Sequence, residues 1–568
     1  MATAHPTNSA HHHAAKFTNR QRTIALIIVA LAFVMDLLDN TIVNIAIPSI
    51  QTDLGTSYSA IQWLTAGYAL SFAVLLITGG RMGDVFGYKK LFMIGIIGFT
   101  VASLLCGIAW NSEILIGSRL FQGAMAALMV PQVMSLMQVM YKPKERGVVM
   151  GLFGAMAGLA ASLGPVVGGI LIELNIAGLD WRPIFLINIP LGIIAILGAI
   201  RFLPNGKSSH PLKLDIVGTG LIIAALGLLI FPLIEGRELD WPTWIFGLMI
   251  ASIPLFLIFG WWQVKKDSID KSPLILPALL KVKTFVTGIL ANLVFQMLML
   301  GFFFTFTLVL QIGLGYDVLK AALTGIPTAI GISFSIGFLT QKLVPLLGRY
   351  TMTLGTVVLA LGLLITFWVF DQNGLNTAPL QLTPGLLVIG TGMGMVMGLI
   401  FSVALKDVDN QHAGSASGTL NAVQQLGGAI GIAAIGVIFF GQLTTNASAS
   451  FDAATPDIRH SLTHAGLPTQ AQDQIIAGVK TCYIDRSKQK DASATPESCK
   501  TIQNQTGPST PVSKAINESV TSAAKQANAD NFVSGFGKGV IYAIALLVVS
   551  FGLSFLLPRR VTYDMGTH

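Results

Sequence analysis

Long apolar runs, separated by short polar segments, extend along almost the whole chain. The hydrocarbon core of a bilayer requires about 20 apolar residues for each helical crossing. Runs of this length predict an all-α integral membrane protein with fourteen membrane-spanning helices. The predicted helices lie near residues 23–48, 59–79, 90–109, 113–140, 147–172, 183–203, 214–234, 243–262, 284–311, 319–341, 350–370, 384–406, 413–440 and 536–557.

Lysine and arginine are concentrated in the short segments after the even-numbered runs and in the two tails, 1–22 and 558–568. The short segments on the other side contain only Arg182, Arg237 and Lys320. Because cytoplasmic segments carry the excess of basic residues, both tails are expected in the cytoplasm. The protein is therefore expected to be a multi-pass protein of the cell (inner) membrane.

The composition agrees with this pattern. Of the 568 residues, 53% are hydrophobic and only 11% are charged, whereas soluble domains average about 25% charged residues. A soluble enzyme, a disordered scaffold and a soluble nucleic-acid binder are excluded, although the net charge is +8. The chain contains neither a Gly-x-x-x-x-Gly-Lys-[Ser/Thr] loop nor a His-Glu-x-x-His motif. We expect no enzymatic activity, no cofactor and no metal site.

One long polar segment, 441–535, separates the last two apolar runs, and the alternation of sides places it outside the cell membrane. It contains Cys482 and Cys499, which predict a disulfide in that oxidising compartment. The segment is either an external gate or docking surface, or a solvated insertion with a local covalent link. Cys106, inside an apolar run, is predicted to be a small packing residue.

Ionisable residues occur inside two predicted helices, where a charge is costly and usually functional. Asp36 and Asp39 lie three residues apart in the first helix, and this spacing places both carboxylates on one face. Either carboxyl can carry a proton by binding and releasing it, or can be a structural group neutralised by an arginine or by amides. Arg119, in the fourth helix, is either a counter-charge that alternately holds and releases a carboxylate or an anchor to backbone carbonyls.

Two glycine-containing patterns indicate moving parts. A tight cytoplasmic turn between the second and third helices combines an acid with basic residues, and we interpret it as a conformational latch. A proline among glycines in the fifth helix predicts a tightly packed kink, which is a hinge or a simple bend. The latch consists of Gly80, Gly83, Asp84, Gly87, Lys89 and Lys90, and the kink of Gly164, Pro165, Gly168 and Gly169.

These patterns together resemble the major facilitator superfamily. Gly80–Lys90 is similar to its signature loop, and Arg119–Gly123 is similar to its proton-coupling motif. Gly164–Gly169 resembles the helix-five motif of the exporters, and Leu38–Pro48 resembles a motif of the fourteen-helix drug:proton antiporters. The chain departs from the signature at Tyr88, where the superfamily usually has a basic residue.

The resemblance implies two six-helix bundles with two helices inserted between them. The first bundle is expected at 23–203, the insert at 214–262 and the second bundle at 284–557, with the external segment 441–535 inside the second bundle. Such halves rock around a site near the middle of the membrane.

The resemblance also implies a multidrug efflux transporter of the quaternary-ammonium or polyspecific drug-resistance type. Such a protein exports amphipathic or cationic compounds in exchange for protons, with a periplasmic adaptor and an outer-membrane channel as possible partners. The alternatives are a proton-coupled nutrient importer and an exporter of a lipid-like or endogenous metabolite. The candidate cavity residues, each either a substrate contact or a helix-packing group, are Asn40, Gln132, Asn292, Gln296, Phe303, Asn421 and Gln425.

Overall fold

The computed structural model describes residues 18–141, 143–208, 213–409, 412–464, 466–488, 496–500 and 511–557. Within these residues the chain is helical and contains no strand. Most of the two predicted cytoplasmic tails, 1–17 and 558–568, lies outside the described residues, as do 489–495 and 501–510 of the external segment.

The first eight long helices follow the predicted runs closely. They are α1 (Asn19–Leu54), α2 (Tyr58–Phe86), α3 (Tyr88–Gly107), α4 (Ser112–Met140), α5 (Pro143–Glu173), α6 (Pro183–Phe202, with a break at Ile187), α7 (Ile216–Glu235) and α8 (Thr243–Asp270).

One of the remaining helices, Thr469–Lys488, is too polar to cross a membrane. They are α9 (Lys283–Gly313), α10 (Val318–Leu347), α11 (Tyr350–Asn373), α12 (Pro379–Leu405), α13 (Ala413–His464), α14 (Thr469–Lys488) and α15 (Pro511–Leu556).

Polar residues at the helix starts explain why several helices begin where they do. The side chains of Ser57, Asn111, Asp215 and Asp317 each accept a hydrogen bond from a backbone N–H in the first turn of α2, α4, α7 and α10. These bonds satisfy donors that have no partner inside the helix. At the other end of α1, Gly55 adopts a left-handed conformation with φ of 59°, which stops the helix.

Thirteen helices in the described part are long and apolar enough to cross a membrane. The fifth predicted run, 147–172, lies within α5, which is 31 residues long and of which Leu163–Glu173 is counted as a shorter apolar helix. The all-helical, multi-span fold class predicted from the sequence is therefore confirmed.

The polar segment 441–535 is largely helical where it is described. The helix α13 continues to His464, well past the predicted end at 440, and α15 starts at Pro511, well before the predicted start at 536. These extensions pack with α14 around a small apolar core that includes Phe451, Ile458 and Ile476. Sequence analysis did not predict this core because the average hydropathy of the segment is low. Its apolar residues are spaced along one face of each helix, between polar residues.

Two large apolar clusters fill the membrane part. One is built from α1 to α6 and includes Phe92, Phe99 and Phe153. The other is built mainly from α9 to α13 and α15, and it also takes in residues of α1, α2 and α7 such as Ile45 and Ile230. The helices of the first and second halves are therefore in direct contact.

Candidate functional site

The centre of the first half holds a buried ion pair. The guanidinium of Arg119 on α4 donates to the Asp39 carboxylate on α1. The second carboxylate oxygen of Asp39 accepts bonds from the side-chain amides of Gln122, at 2.8 Å, and Asn188, at 2.9 Å. Two helices, α4 and α6, thus supply three donors to the one anion on α1.

This site is closed to solvent. Asp39 and Arg119 are each 1% exposed, and Gln122 is fully buried. A buried charge is tolerated only when it is paired and hydrogen-bonded, and removing one partner of such a pair costs about 3–5 kcal/mol. Protonation of Asp39 would remove its charge and would therefore leave Arg119 without the anion that stabilises it in this arrangement.

The position of Arg119 is fixed by more than its ion pair. Its Nε donates to the Leu64 carbonyl at 3.1 Å, and Nη1 donates to Gln122 Oε1 at 2.7 Å. The guanidinium carbon lies 4.3 Å from the centre of the Tyr68 ring, within the range of a cation–π contact. The helix α2, which carries Leu64 and Tyr68, therefore also holds the arginine in place.

Asp36 lies beside this network with a different partner. Its Oδ1 accepts a 2.5 Å hydrogen bond from the hydroxyl of Tyr68, and it is 3% exposed. The structure therefore brings Asp36, Asp39 and Arg119 together. Sequence analysis included Gln122 only as part of the Arg119–Gly123 motif and named neither Tyr68 nor Asn188 as a site residue, although a polar residue within an apolar helix is itself a signal.

The signature turn between α2 and α3 is shaped by close packing. An added Cβ at Gly83 would lie 2.0 Å from Gln132 Oε1, and Gly87 has a φ of +104°, so both positions require glycine. The hydroxyl of Tyr88 donates to Asp84 Oδ1 at 3.0 Å. In this chain the acid of the turn is thus held by a neutral phenol at the position where the superfamily usually has a base.

The basic residues around this turn contact backbone carbonyls. Arg81 donates to the carbonyl of Ser272 at 2.8 Å and to that of Pro273, both just after the end of α8. Lys89 donates to the Ile200 carbonyl at 2.8 Å, whereas Lys90 is exposed. The strongest link from the turn to another part of the fold is therefore Arg81, which sequence analysis left out of the latch.

The glycines of the α5 motif allow that helix to touch α1. An added Cβ at Gly164 would lie 1.9 Å from Thr41 Oγ1, and one at Gly168 would lie 2.6 Å from Ile42 Cγ1. On the other side, a Cβ at Gly169 would lie 3.2 Å from Ala322 on α10. Pro165 is partly buried between these contacts. The motif therefore connects the helix that carries Asp39 with the second half.

Two of the candidate cavity residues are helix-packing groups in this structure. Gln132 is fully buried and donates from Nε2 to the Gly79 carbonyl at 2.9 Å, and Asn292 donates to the Leu420 carbonyl at 3.0 Å. Gln296 is also buried, at 6% exposure. The side chains that keep access to open space, half-buried or exposed, are Asn40, Phe303, Asn421 and Gln425.

The two halves are joined by direct contacts at one end of the bundle. Gln311 Nε2 on α9 donates to the Ile45 carbonyl on α1 at 2.9 Å. The rings of Tyr58 on α2 and Phe440 on α13 are 4.3 Å apart. Both contacts lie toward the end of the molecule that carries the 441–535 segment, so the two halves meet at this end.

The last residue of α7 and the segment between α7 and α8 contact the two halves at the same end of the bundle. Glu235 accepts a 2.7 Å bond from Trp63 Nε1 on α2, and Arg237 donates to Thr444 Oγ1 on α13 at 3.1 Å. Burial lowers the pKa of the Arg237 guanidinium below its ordinary value, and the neighbouring Tyr58 offsets only part of this effect. The end of α7 and the segment that follows it thus contact α2 in the first half and α13 in the second half.

In the external segment, Cys482 on α14 and Cys499 form a disulfide, with Cα atoms 4.7 Å apart. Cys106 is a free, fully buried thiol in α3. The covalent link ties the segment around Cys499 to α14.

We predict that oxidised protein, alkylated under denaturing conditions before reduction, will show Cys106 as its only modified thiol. An oxidising compartment stabilises the Cys482–Cys499 bond, and neither residue lies in a spanning helix. Mass spectrometry of peptides should show both cysteines modified only after reduction. Alkylation of Cys482 or Cys499 without a reductant would contradict the prediction, and a Cys482→Ser variant should expose Cys499 as a positive control.

The helical bundle with a charged pair buried in its centre defines a multi-span membrane transporter. A model of the Major Facilitator Superfamily matches residues 29–432, and the chain belongs to that family. The resemblance predicted from the motifs is therefore confirmed.

Curated relatives agree on the class. The chain is 41% identical over 546 residues to a "Probable actinorhodin transporter" of Streptomyces coelicolor, covering 96% of this chain and 93% of the relative. It is 32% identical over 430 residues to the "Methylenomycin A resistance protein" of Bacillus subtilis, covering 75% and 89%. The names of the two relatives describe a transporter of actinorhodin and a protein of resistance to methylenomycin A.

Solved structures agree on the fold. A bacterial homologue of the human lysosomal transporter Spinster, in an inward-facing and occupied conformation, aligns with a TM-score of 0.53 and 16% identity. The alignment covers 94% of this chain and 97% of that chain. At this identity the likeness concerns the fold alone.

Proposed function

We propose that this protein is an antiporter that exports amphipathic or cationic organic compounds from the cytoplasm in exchange for protons. The observation that carries the proposal is the enclosed Asp39–Arg119 pair at the centre of the first half. A carboxylate held by a buried cation and two amides is a group whose protonation must reorganise its surroundings. The names of the relatives, which include antibiotic resistance and export proteins, support the direction of transport.

The proposed cycle follows from the charge of Asp39. A proton from outside neutralises the carboxylate, which weakens its bond to Arg119 and favours the state that releases substrate outward. Release of the proton to the cytoplasm restores the ion pair and returns the cavity to the inside. We take the end that carries 441–535 as the outer end. Contacts of Gln311 with Ile45 and of Tyr58 with Phe440 join the two halves there, which supports a state that loads substrate from the cytoplasm.

The two glycine motifs take mechanical roles in this proposal. Gly164, Gly168 and Gly169 place α5 against both α1 and α10, so a movement of α1 at Asp39 is passed directly to the second half. The signature turn, with Asp84 held by Tyr88, acts as the cytoplasmic latch together with Arg81. The latch influences the exchange between states rather than the binding of substrate.

The substrate class follows from the side chains that reach open space. Asn40, Asn421 and Gln425 offer amides, and Phe303 offers an aromatic face. An apolar pocket with a few polar groups suits amphipathic compounds, and an aromatic face attracts cations. The name of the Streptomyces relative also favours a second candidate, the export of an endogenous antibiotic-like metabolite.

The expected arrangement in the cell follows from the charge distribution. Two bundles, 23–203 and 284–557, flank the insert 214–262, and both tails lie in the cytoplasm of the cell membrane. The described part of 441–535, with its own core and disulfide, then lies outside. It provides the surface to which a periplasmic adaptor would bind if the protein works with an outer-membrane channel.

Purified protein in liposomes with an acidic lumen is expected to accumulate a permanently charged drug such as ethidium inside the vesicles. Protons that leave the lumen drive the drug inward, whichever way the protein is inserted. A quaternary cation is chosen because it cannot be trapped by protonation. Fluorescence of ethidium bound to enclosed DNA measures the accumulation, and a proton–cation exchanger that collapses the pH gradient should abolish it.

Two outcomes would contradict the proposal. Equal uptake by protein-containing and protein-free vesicles would exclude the transport of this drug class. Drug loss from acidic, preloaded vesicles at a rate that rises with the gradient would indicate symport, as expected for a nutrient importer. Repeating the assay with an anionic or neutral antibiotic distinguishes a cation exporter from an exporter of an endogenous metabolite.

A further inference from the structure

A groove lies between α11, α13 and α15 at the end of the bundle that carries the 441–535 segment. Its volume is about 580 Å³, within the range of ligand sites in proteins. One face of each helix lines it, and the groups that matter for its chemistry are Leu364, Phe367, Asp371, Asp530, Ser534 and Lys538. None of these residues belongs to the Asp39 site or to the candidate substrate cavity, so the transport cycle proposed above leaves the groove without a role.

Two close contacts fix the relative depth of α11 and α15 along the groove. A Cβ added at Gly374 would lie 3.3 Å from Asp530 Oδ1, and one added at Gly537 would lie 2.7 Å from Phe367 Cε2. The two helices therefore run antiparallel, and α15 enters the apolar part of the bundle where α11 leaves it. Asp371, at the end of α11, and Asp530 thus both lie at the rim of the groove that is further from the membrane centre.

The groove changes from charged to apolar along its length. Lys538 lies about 12 Å further along α15 than Asp530, at the level of the Phe367 ring. The apolar residues that line the groove beyond it are Leu364, Ile541 and Ile544. Trp368 on α11 is exposed beside this level, and tryptophan is enriched where a membrane meets water. The charged part of the groove therefore lies at the depth of the lipid headgroups.

The charged side chains of the groove have few partners within the protein. The Asp530 carboxylate accepts a bond from Gln526 at 3.2 Å, and that of Asp371 accepts only a long bond from Gln372, at 3.4 Å. In the part of the chain that the structure describes, Lys538 has neither a hydrogen-bond nor an ion-pair partner. Two carboxylates and one ammonium group are thus available to a ligand that carries charges of both signs.

We propose that this groove binds a phospholipid with a primary amine in its headgroup, such as phosphatidylethanolamine. From water toward the membrane centre, this lipid presents an ammonium group, a phosphate and acyl chains, and the groove presents carboxylates, an ammonium group and an apolar wall in the same order. The lipid ammonium binds between Asp371 and Asp530, and the phosphate binds to Lys538 and to the hydroxyl of Ser534, one turn away. An acyl chain then follows the Phe367 wall.

The charge order also distinguishes this lipid from other amphiphiles. A cationic drug would meet Lys538 as a like charge, and an anionic lipid without an amine would meet the two carboxylates in the same way. Phosphatidylcholine has both charges, but its trimethylammonium group has no N–H to donate to Asp371 and Asp530. The inference concerns binding alone and does not depend on the proposed antiport.

Native mass spectrometry of the purified full-length protein tests the proposal. The protein is mixed with equal amounts of phosphatidylethanolamine and phosphatidylcholine that carry the same acyl chains. The wild type should bind the ethanolamine lipid in roughly three- to fivefold preference. The double variant Asp371→Asn with Asp530→Asn should lose this preference, whereas Lys538→Gln should lower the occupancy of both lipids, since both contain the phosphate.

Two matched variants separate these effects from general changes in charge. Lys538→Arg keeps the cation and should retain the occupancy of the wild type. Lys525→Gln removes another exposed cation of α15, which does not line the groove, and it should change neither occupancy nor preference. Asp371 and Lys538 are exposed and Asp530 is half-buried, so all these variants should elute as the wild type does.

Three results would overturn the inference. These are equal binding of the two lipids by the wild type, an undiminished preference in the double aspartate variant, and wild-type occupancy in Lys538→Gln. Displacement of the bound lipid by ethidium would instead identify the groove as a site for the transported cation, and the lipid site would be rejected. A protein that binds the lipid as described but accumulates no drug would overturn the antiport alone.

Discussion

Replacing Asp39 with asparagine is expected to reduce pH-driven drug accumulation to the level of protein-free vesicles. Asparagine has the same shape but cannot bind and release a proton. The neutral side chain mimics the protonated carboxyl permanently, so Arg119 loses its present partner and the protein is held in one part of its cycle. The accumulation of ethidium in acid-loaded proteoliposomes measures the effect directly.

Expression and folding provide the control for this variant. Asp36 and the amides of Gln122 and Asn188 stay in place, so Asp39→Asn should elute as a single peak in detergent and should still bind drug. Its drug affinity should no longer vary with pH, whereas that of the wild type should fall as the pH is lowered. Undiminished accumulation by Asp39→Asn in an imposed pH gradient would show that the proton is carried elsewhere.

The spanning helices and the candidate charged residues could be predicted from the sequence for physical reasons. A helix in lipid must be apolar over its full length, so thirteen of the crossings stand out as continuous runs. An aspartate or arginine inside such a run has no solvent to interact with. Its presence alone therefore marked Asp39 and Arg119 as candidate functional residues, but it left open whether Arg119 pairs with a carboxylate or with backbone carbonyls.

The hydrogen-bond partners of these charged residues could not be predicted in the same way. Gln122, Asn188 and Tyr68 come from α4, α6 and α2, and only the packing of the helices decides which amide or hydroxyl reaches a given carboxylate. Packing also decided that Gln132 connects two helices rather than lining a cavity. The residue type gave the chemistry of these side chains, whereas the fold gave their partners.

The external segment shows a different limit of sequence analysis. Its polar composition is that of a solvated connection, but α13 and α15 continue through it as long amphipathic helices. Few apolar residues are needed to hold such helices together when they extend from helices that are already packed in the membrane, because no separate nucleation is required. The length of these two helices therefore depends on the bundle beneath them.

Replacing Gly164 with alanine is expected to separate α5 from α1 and to destabilise the protein by about 1–3 kcal/mol, the usual cost of overpacking. The added Cβ would lie 1.9 Å from Thr41 Oγ1. That hydroxyl cannot turn away without losing its bonds to the Leu37 and Leu38 carbonyls, at 3.0 and 3.1 Å. Since Thr41 is two residues from Asp39, transport should fall together with the melting temperature.

A double substitution tests whether this contact is the cause. Thr41→Ala removes the clashing hydroxyl, so Gly164→Ala combined with Thr41→Ala should recover part of the stability lost by Gly164→Ala alone, as a coupling energy between neighbouring residues. Gly220→Ala in α7, where an added Cβ meets nothing within 4 Å, should leave both stability and transport unchanged. Equal losses in the single and double variants would show that α5 does not transmit the movement of α1 through Thr41, and the coupling would then have to pass through the contacts of Gly168 with Ile42 instead.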